Sequence, residues 1–235
     1  MSERYQHLRA DRVIATLEQL HARILARFPE AGLGSVCGQL VATARFCARD
    51  AAQLARPAWI WRGAALALAA SGVAAQVFAF RFLRVDGPLS AAELVQGTEA
   101  AVNLLILFGG AVWFVLTLEE RRKRRRALDA LHRLRALTHV IDMHQLTKDP
   151  TVVLDAHRTS ASPERSMNRF ELTRYLDYCS EMLALIGKLA ALYADRTRDT
   201  AVIDAVNDIE NLTNGLGRKI WQKITILGAL EERQA

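Results

Sequence analysis

Hydrophobic and polar positions divide the chain into two uncharged runs and several charge-rich segments. The first run, Gly63–Phe80, is interrupted only by Ser71 and Gln76, and the second, Ala100–Leu118, has Asn103 as its main polar residue. Runs of 18 and 19 residues would measure about 27–28 Å as helices, close to the hydrocarbon thickness of a bilayer. Both runs therefore predict transmembrane helices.

The segments on either side of the two runs show the 3.6-residue periodicity of amphipathic helices. Two helices are predicted before the first run, at about Glu3–Phe28 and Leu33–Ala55, and Pro29 separates them. The second run is predicted to continue as one helix to about Leu146. The apolar stripe of that extension is Leu128, Leu131, Leu134, Leu137 and Ile141. Prolines and small polar residues then predict a flexible linker over residues 147–166.

The C-terminal segment, residues 167–235, predicts a helical hairpin. Asp199 or Thr200 is the expected N-cap of its second helix. Its first helix carries apolar residues at heptad spacing, and we call this set the seam: Leu172, Tyr175, Cys179, Met182, Ile186, Leu189 and Tyr193. A narrow apolar seam needs a partner helix, which either this chain or another copy supplies. We take it as a candidate oligomer contact.

Together these patterns predict an all-α integral membrane protein. A two-helix transmembrane hairpin is joined to a cytoplasmic helical bundle that includes a coiled-coil-like hairpin, and no alternating pattern indicates β structure. The predicted segments are N-terminal cytoplasmic helices (1–57), transmembrane helix 1 (58–83), a short external loop (84–98), transmembrane helix 2 (99–118), its cytoplasmic extension (119–146), the linker (147–166) and the C-terminal hairpin (167–235).

The distribution of basic residues predicts the orientation of the hairpin. Residues 1–57 contain eight arginines, and six consecutive basic residues follow the second run: Arg121, Arg122, Lys123, Arg124, Arg125 and Arg126. Since Lys and Arg collect on the cytoplasmic side, both termini are predicted to be cytoplasmic in a multi-pass protein of the cell membrane. The basic run is also a candidate site for anionic lipid. It accounts for the net charge of +6, so nucleic acid is not expected as a partner.

Small and polar residues mark candidate contacts within the membrane. A ridge of small residues recurs every four positions along the first run: Gly63, Ala67, Ser71, Ala75 and Ala79. Such a ridge permits close helix packing, either between the two runs of one chain or between subunits. Gln76, Glu99 and Asn103 are the intramembrane polar candidates. Gln76 and Asn103 are predicted to hydrogen-bond between helices, and Glu99 to contact solvent or to form an ion pair with Arg81. In an assembly of several copies, the polar candidates would instead line a pore or form an ion-attracting ring.

The sequence contains no motif typical of catalysis or cofactor binding. The cysteines Cys37, Cys47 and Cys179 form no CxxC pair. Histidines and one aspartate lie around the end of the long helix, at His132, His139, Asp142, His144 and His157, but they lack the i, i+4 spacing of a helical metal pair. We therefore expect no enzyme activity, no cofactor and no metal site.

The function expected from these features is a non-enzymatic, oligomeric, membrane-anchored assembly or interaction module. Its expected partners are the lipid bilayer and either further copies or a cytoplasmic helical protein. The alternative is a homo-oligomeric ion channel or membrane-permeabilising effector gated by its cytoplasmic helices. A third hypothesis is recruitment of anionic phospholipid by the basic run.

Overall fold

The computed structural model describes residues 8–54, 56, 58–82, 91–148 and 167–232 of the chain. These ranges contain helices and short connections, and no strand. The helices are α1 (Ala10–Arg27), α2 (Gly32–Leu54), α3 (Trp59–Phe82), α4 (Ala91–Leu146), α5 (Arg169–Ala194) and α6 (Thr200–Glu232). The prediction of an all-α fold is confirmed. Most of the predicted linker, from residue 149 to 166, lies outside the described residues, as does the side chain of Ala79.

The chain forms two compact units. The first, which we call the bundle, comprises residues 1–55 and 126–235, and the second, which we call the hairpin, comprises residues 56–125. Helix α4 contributes to both, since its first part belongs to the hairpin and its last part to the bundle. It ends at Leu146, as its apolar stripe predicts.

The bundle has one hydrophobic core shared by α1, α2, the end of α4, α5 and α6. Helix α1 shows why these segments fold as they do: its buried residues Val13, Leu17, Leu20 and Ile24 recur three or four positions apart. Helix α5 packs against α1, α2 and α6. Each large apolar side chain buried in this way contributes about 1.5–3 kcal/mol relative to exposure. The core is therefore the main source of the bundle's stability.

Side chains satisfy the free backbone groups at the starts of α5 and α6. Asn168 accepts a hydrogen bond from the backbone N–H of Glu171, whose carboxylate in turn accepts from the backbone N–H of Asn168. Asp199 accepts from the N–H groups of Ala201 and Val202, 3.1 and 3.3 Å away. Asp199 is thus the cap of α6, as predicted.

A buried polar group links α6 to the end of α4. The Lys223 ammonium donates to the backbone carbonyl and the side-chain oxygen of Gln145, at 2.9 and 2.7 Å. Gln145 is itself buried. A cation at the carbonyl end of a helix is favourable because the helix dipole is negative there. This contact fixes the C-terminal turn of α4 in the bundle.

The hairpin is apolar on its outside. Two helical stretches among the described residues, one ending in α3 and one within α4, are long and apolar enough to cross a membrane. The most apolar windows of a soluble protein would lie in its core, but only 6% of the first window and 0% of the second is buried. Helix α4 begins at Ala91, so part of the predicted external loop is helical. The apolar stretch starts only at residue 100, and the sequence pattern therefore placed the beginning of the helix too late.

Candidate functional site

The two helices of the hairpin touch where a glycine faces an aromatic ring. A Cβ atom on Gly72 of α3 would lie 2.7 Å from the Phe108 Cγ of α4, closer than real side chains approach. Only glycine therefore permits this contact. The backbone N–H of Ala58 reaches the Glu119 carboxylate at one end of the pair. The two contacts show that α3 and α4 run antiparallel.

The ridge of small residues lies beside this contact and does not form it. Gly63, Ala67 and Ser71 are exposed, and Ala75 is half-buried. The Ser71 hydroxyl donates to the carbonyl of Leu68 in its own helix, at 2.8 Å. Packing within the chain uses Gly72, which follows Ser71 directly and meets Phe108. The sequence pattern alone does not say which face of α3 packs against α4. The ridge as a contact between subunits stays a prediction.

The polar candidates of the hairpin lie on two different surfaces. Gln76 is half-buried and lines an apolar groove of about 540 Å³ between α3 and α4, together with Phe108. Asn103 and Glu99 are exposed and line a shallow concavity of about 450 Å³ on α4. No hydrogen bond joins either the Gln76 or the Asn103 amide to another of the described residues. The predicted bonds between helices are therefore not made within this part of the chain.

Glu119 connects the two helices next to the basic run, and sequence reasoning missed it. Its side chain is buried at 8% exposure, where it accepts hydrogen bonds from the Ala58 backbone N–H at 3.1 Å and from Lys123 Nζ at 2.7 Å. The first bond satisfies one of the free N–H groups at the start of α3. The sequence does contain one indication of this role: Glu119 directly follows the apolar run, and Lys123 lies four residues later, at the spacing of a helical ion pair.

The residues of the basic run differ in their contacts within the hairpin. Lys123 pairs with Glu119, and the Arg122 guanidinium lies 4.9 Å from the centre of the Trp61 ring. Arg62 of α3 is close enough to interact electrostatically with the Glu119 carboxylate. Arg121 and Arg125 are exposed and have no ion pair within the described ranges. We call Trp61, Arg62, Glu119, Arg122 and Lys123 the collar.

The seam lies in the core of the bundle. All seven of its residues are buried, and five of them have no exposed surface: Cys179, Met182, Ile186, Leu189 and Tyr193. The Tyr193 hydroxyl donates to Asp50 of α2 at 3.3 Å. The partner helices of the seam therefore come from the same chain.

The bundle also has an open cleft of about 710 Å³ where the α1–α2 turn meets the end of α4 and the start of α5. The Tyr175 hydroxyl lies 3.3 Å from His144 Nδ1, and the Lys148 ammonium lies 5.5 Å from the centre of the Tyr175 ring. The lining contains two basic residues, Arg27 and Lys148, and two acidic residues, Glu30 and Glu171.

The histidines and thiols do not form a reactive group within the described ranges. His132 and His139 are exposed, His157 lies outside the described residues, and no cluster of three or more potential metal ligands occurs in the part that the structure describes. Burial raises the pKa of the Cys179 thiol to about 12, so this thiol stays protonated at neutral pH. A protonated, buried thiol is a poor nucleophile.

The fold and these sites define a class: an all-helical protein with two helices that are long and apolar enough to cross a membrane. No family model, curated protein or solved structure matches the chain. Function is therefore inferred from the chemistry of the hairpin and of the bundle.

Proposed function

We propose that this is a two-pass membrane protein whose hairpin crosses the bilayer and assembles with further copies, while its bundle serves as a non-enzymatic interaction module in the cytoplasm. Membrane insertion is supported by the apolar surface that the hairpin leaves uncovered. The large side chains exposed on it are Trp59, Ile60, Leu66, Val73, Val77, Phe78, Val95, Val102, Leu105, Ile106, Leu107, Trp113, Phe114 and Leu116. Patches of this extent are unfavourable in water and favourable in lipid.

The proposed orientation follows from the antiparallel arrangement of the hairpin. The contact between Ala58 and Glu119 brings the start of α3 and the basic run of α4 to the same end. Since the cytoplasmic end of a membrane helix carries the excess of Lys and Arg, this end is assigned to the cytoplasm. Both chain termini then belong to the cytoplasmic side.

Asn103 is the observation that carries the proposal of assembly. It is exposed on an apolar stretch of α4, and none of the described residues hydrogen-bonds its amide. In hydrocarbon an unpaired amide is costly, and pairing with an amide of a second helix removes that cost. Gly110 lies two turns further along the same face, and a Cβ added there would meet nothing within 4 Å. A second copy of α4 can therefore approach closely beside the amide.

The substitution Asn103→Leu is expected to weaken this assembly. An interhelical hydrogen bond in a membrane contributes about 0.6–2 kcal/mol, so loss of the amide should lower the association constant by about 3- to 30-fold. The measurement is the protein mass of particles extracted in mild detergent, with the detergent contribution subtracted, across a range of protein concentrations. The Asn103→Gln variant, which keeps an amide, should assemble more strongly than Asn103→Leu.

Leu105→Ala is the matched control, because Leu105 is 73% exposed on the same helix but points about 200° away from Asn103. It should have the particle mass of the wild type. A monomeric wild type, or equal masses for the wild type and Asn103→Leu at every concentration, would contradict assembly through this face.

A channel is the second candidate function, favoured by the concavity that Glu99 and Asn103 share on α4. In a ring of copies these side chains would give the outer part of a pore a polar lining. A monomer or dimer has at most four spanning helices, whereas a tetramer or larger assembly has enough to surround a pore. Gating would then be the role of the bundle.

We expect ion flux through liposomes that contain the purified protein if the channel proposal is correct. Asn103→Leu should change that flux, because it removes a polar group from the proposed lining, while Leu105→Ala should not. Flux is measured with an ion-sensitive dye trapped inside the vesicles. Liposomes that remain impermeable to ions at all lipid compositions and pH values would contradict the channel proposal and leave only the assembly module.

A further inference from the structure

The collar brings a cationic group of each hairpin helix close to a residue of the other: Arg122 lies over Trp61, and Arg62 interacts electrostatically with Glu119. Arg62 follows Trp61 directly in α3. The Glu119 carboxylate forms an ion pair with Lys123 and accepts a hydrogen bond from the backbone N–H of Ala58. The arginines of the collar thus form no hydrogen-bonded ion pair with the acid that lies nearest to them.

The charges around the collar are strongly unbalanced. Arg62 and the six basic residues of the run supply seven cations, whereas Glu119 and Glu120 supply two carboxylates. Arg62 and Arg122 are both exposed, and neither makes a hydrogen bond to any residue that the structure describes. Each guanidinium therefore has donors available for an oxygen-rich anion, and guanidinium matches phosphate geometry well.

We infer that the collar is a binding site for the phosphate of an anionic phospholipid headgroup, held between Arg62 of α3 and Arg122 of α4 beside Trp61. Phosphate chemistry alone would also fit a soluble anion. The lipid is favoured because the collar directly follows the apolar stretch of α4 and because Trp59, 75% exposed, provides the amphipathic ring that is typical of the headgroup region. The inference rests on the proposed membrane insertion, but it does not depend on the number of copies.

This site differs from general attraction of lipid to a basic run. Diffuse attraction depends only on the number of charges near the membrane, at about 1 kcal/mol for each Lys or Arg. A site between two helices depends instead on which arginines are present. Arg62 lies 59 positions before Arg121 and is not part of the run, so its contribution separates the two explanations.

The test measures binding of fluorescent phosphatidylglycerol and phosphatidylcholine to the full-length protein in a neutral detergent. We expect Arg62→Gln and Arg122→Gln each to weaken phosphatidylglycerol binding by about tenfold or more, because each removes a hydrogen bond between charged groups, and to leave phosphatidylcholine binding unchanged. Arg121→Gln is the matched control. It removes the same charge from an exposed arginine of the run, and we expect a loss of less than twofold.

Three results would overturn the inference. Equal losses in Arg121→Gln, Arg62→Gln and Arg122→Gln would indicate diffuse attraction, and no loss in the latter two would indicate that the collar does not bind lipid. Displacement of phosphatidylglycerol by millimolar inorganic phosphate at constant ionic strength would assign the site to a soluble anion. If the proposal that the hairpin inserts into the membrane is wrong, the result is different: neither phosphatidylglycerol nor phosphatidylcholine would bind even to the wild type. The far-ultraviolet circular dichroism of each variant, compared with the wild type, verifies folding.

Discussion

Replacing Ile186 with aspartate is expected to unfold the bundle. Ile186 has 0% exposure in the middle of α5, and α5 packs against α1, α2 and α6. An aspartate there would place a carboxylate in the core without a partner, and it would also remove an aliphatic side chain. We expect a loss of more than about 4 kcal/mol, which is a large part of the 5–15 kcal/mol that stabilises a typical domain.

The measurement is resistance to protease together with the helix content of the full-length protein in mild detergent. Lys188→Asp is the matched control, because it introduces the same carboxylate two residues away at an exposed position of the same helix. The control should resist protease like the wild type, whereas Ile186→Asp should be cleaved within α5 and α6.

This experiment also distinguishes the two partners that the sequence allows for the seam. If the seam joined separate copies, Ile186→Asp would lower the particle mass and leave each bundle folded. If the seam is the core of one chain, the bundle itself unfolds. A protease-resistant bundle of lower particle mass would therefore contradict the single-chain core.

Substitution of Gly72 by valine is expected to separate α3 from α4. Even a Cβ atom at this position would lie 2.7 Å from Phe108 Cγ and 3.0 Å from its Cβ, so rotation of the ring alone does not relieve the clash. Overpacking of this kind costs about 1–3 kcal/mol. The expected result is a lower midpoint of unfolding in a titration with sodium dodecyl sulfate, monitored by tryptophan fluorescence.

The matched control is Gly63→Val, the same change on the same helix at a position where a Cβ would meet nothing within 4 Å. Because the space is open within the chain, it should leave the midpoint unchanged. The double variant Gly72→Val/Phe108→Ala should recover part of the loss, since truncation of the ring makes room for the valine. A Gly72→Val midpoint equal to that of the wild type would show that the two helices do not need this contact.

Periodicity was sufficient for the local structure of the bundle. The stripe from Leu128 to Ile141 predicted a helix that ends at Leu146, and it does. The sequence predicted Asp199 or Thr200 as the cap of α6, and the Asp199 carboxylate accepts two backbone hydrogen bonds there. Both features depend on neighbouring residues only, because helix period and capping act within a few positions of the chain.

The sequence pattern did not predict which residues of the two hairpin helices contact each other. The ridge through Gly63, Ala67 and Ser71 has better spacing than the row that contains Gly72, yet it is Gly72 that meets Phe108. The role of Glu119 depends on the fold, which brings its carboxylate to the N–H group of Ala58, 61 positions earlier in the chain. Each of these contacts joins residues far apart in the chain, and local pattern contains no information about such pairs.

The sequence by itself determined the helical class, the two apolar stretches and the end of α4, and it narrowed the cap of α6 to two residues, because propensity, periodicity and hydropathy are local properties of the chain. Only the tertiary structure decided that the seam is covered within one chain, that Gly72 contacts Phe108 of α4, and that Arg62 and Arg122 belong to one collar. The physical reason is that burial and charge pairing depend on distances between segments, which are set by how the helices pack and not by their individual patterns.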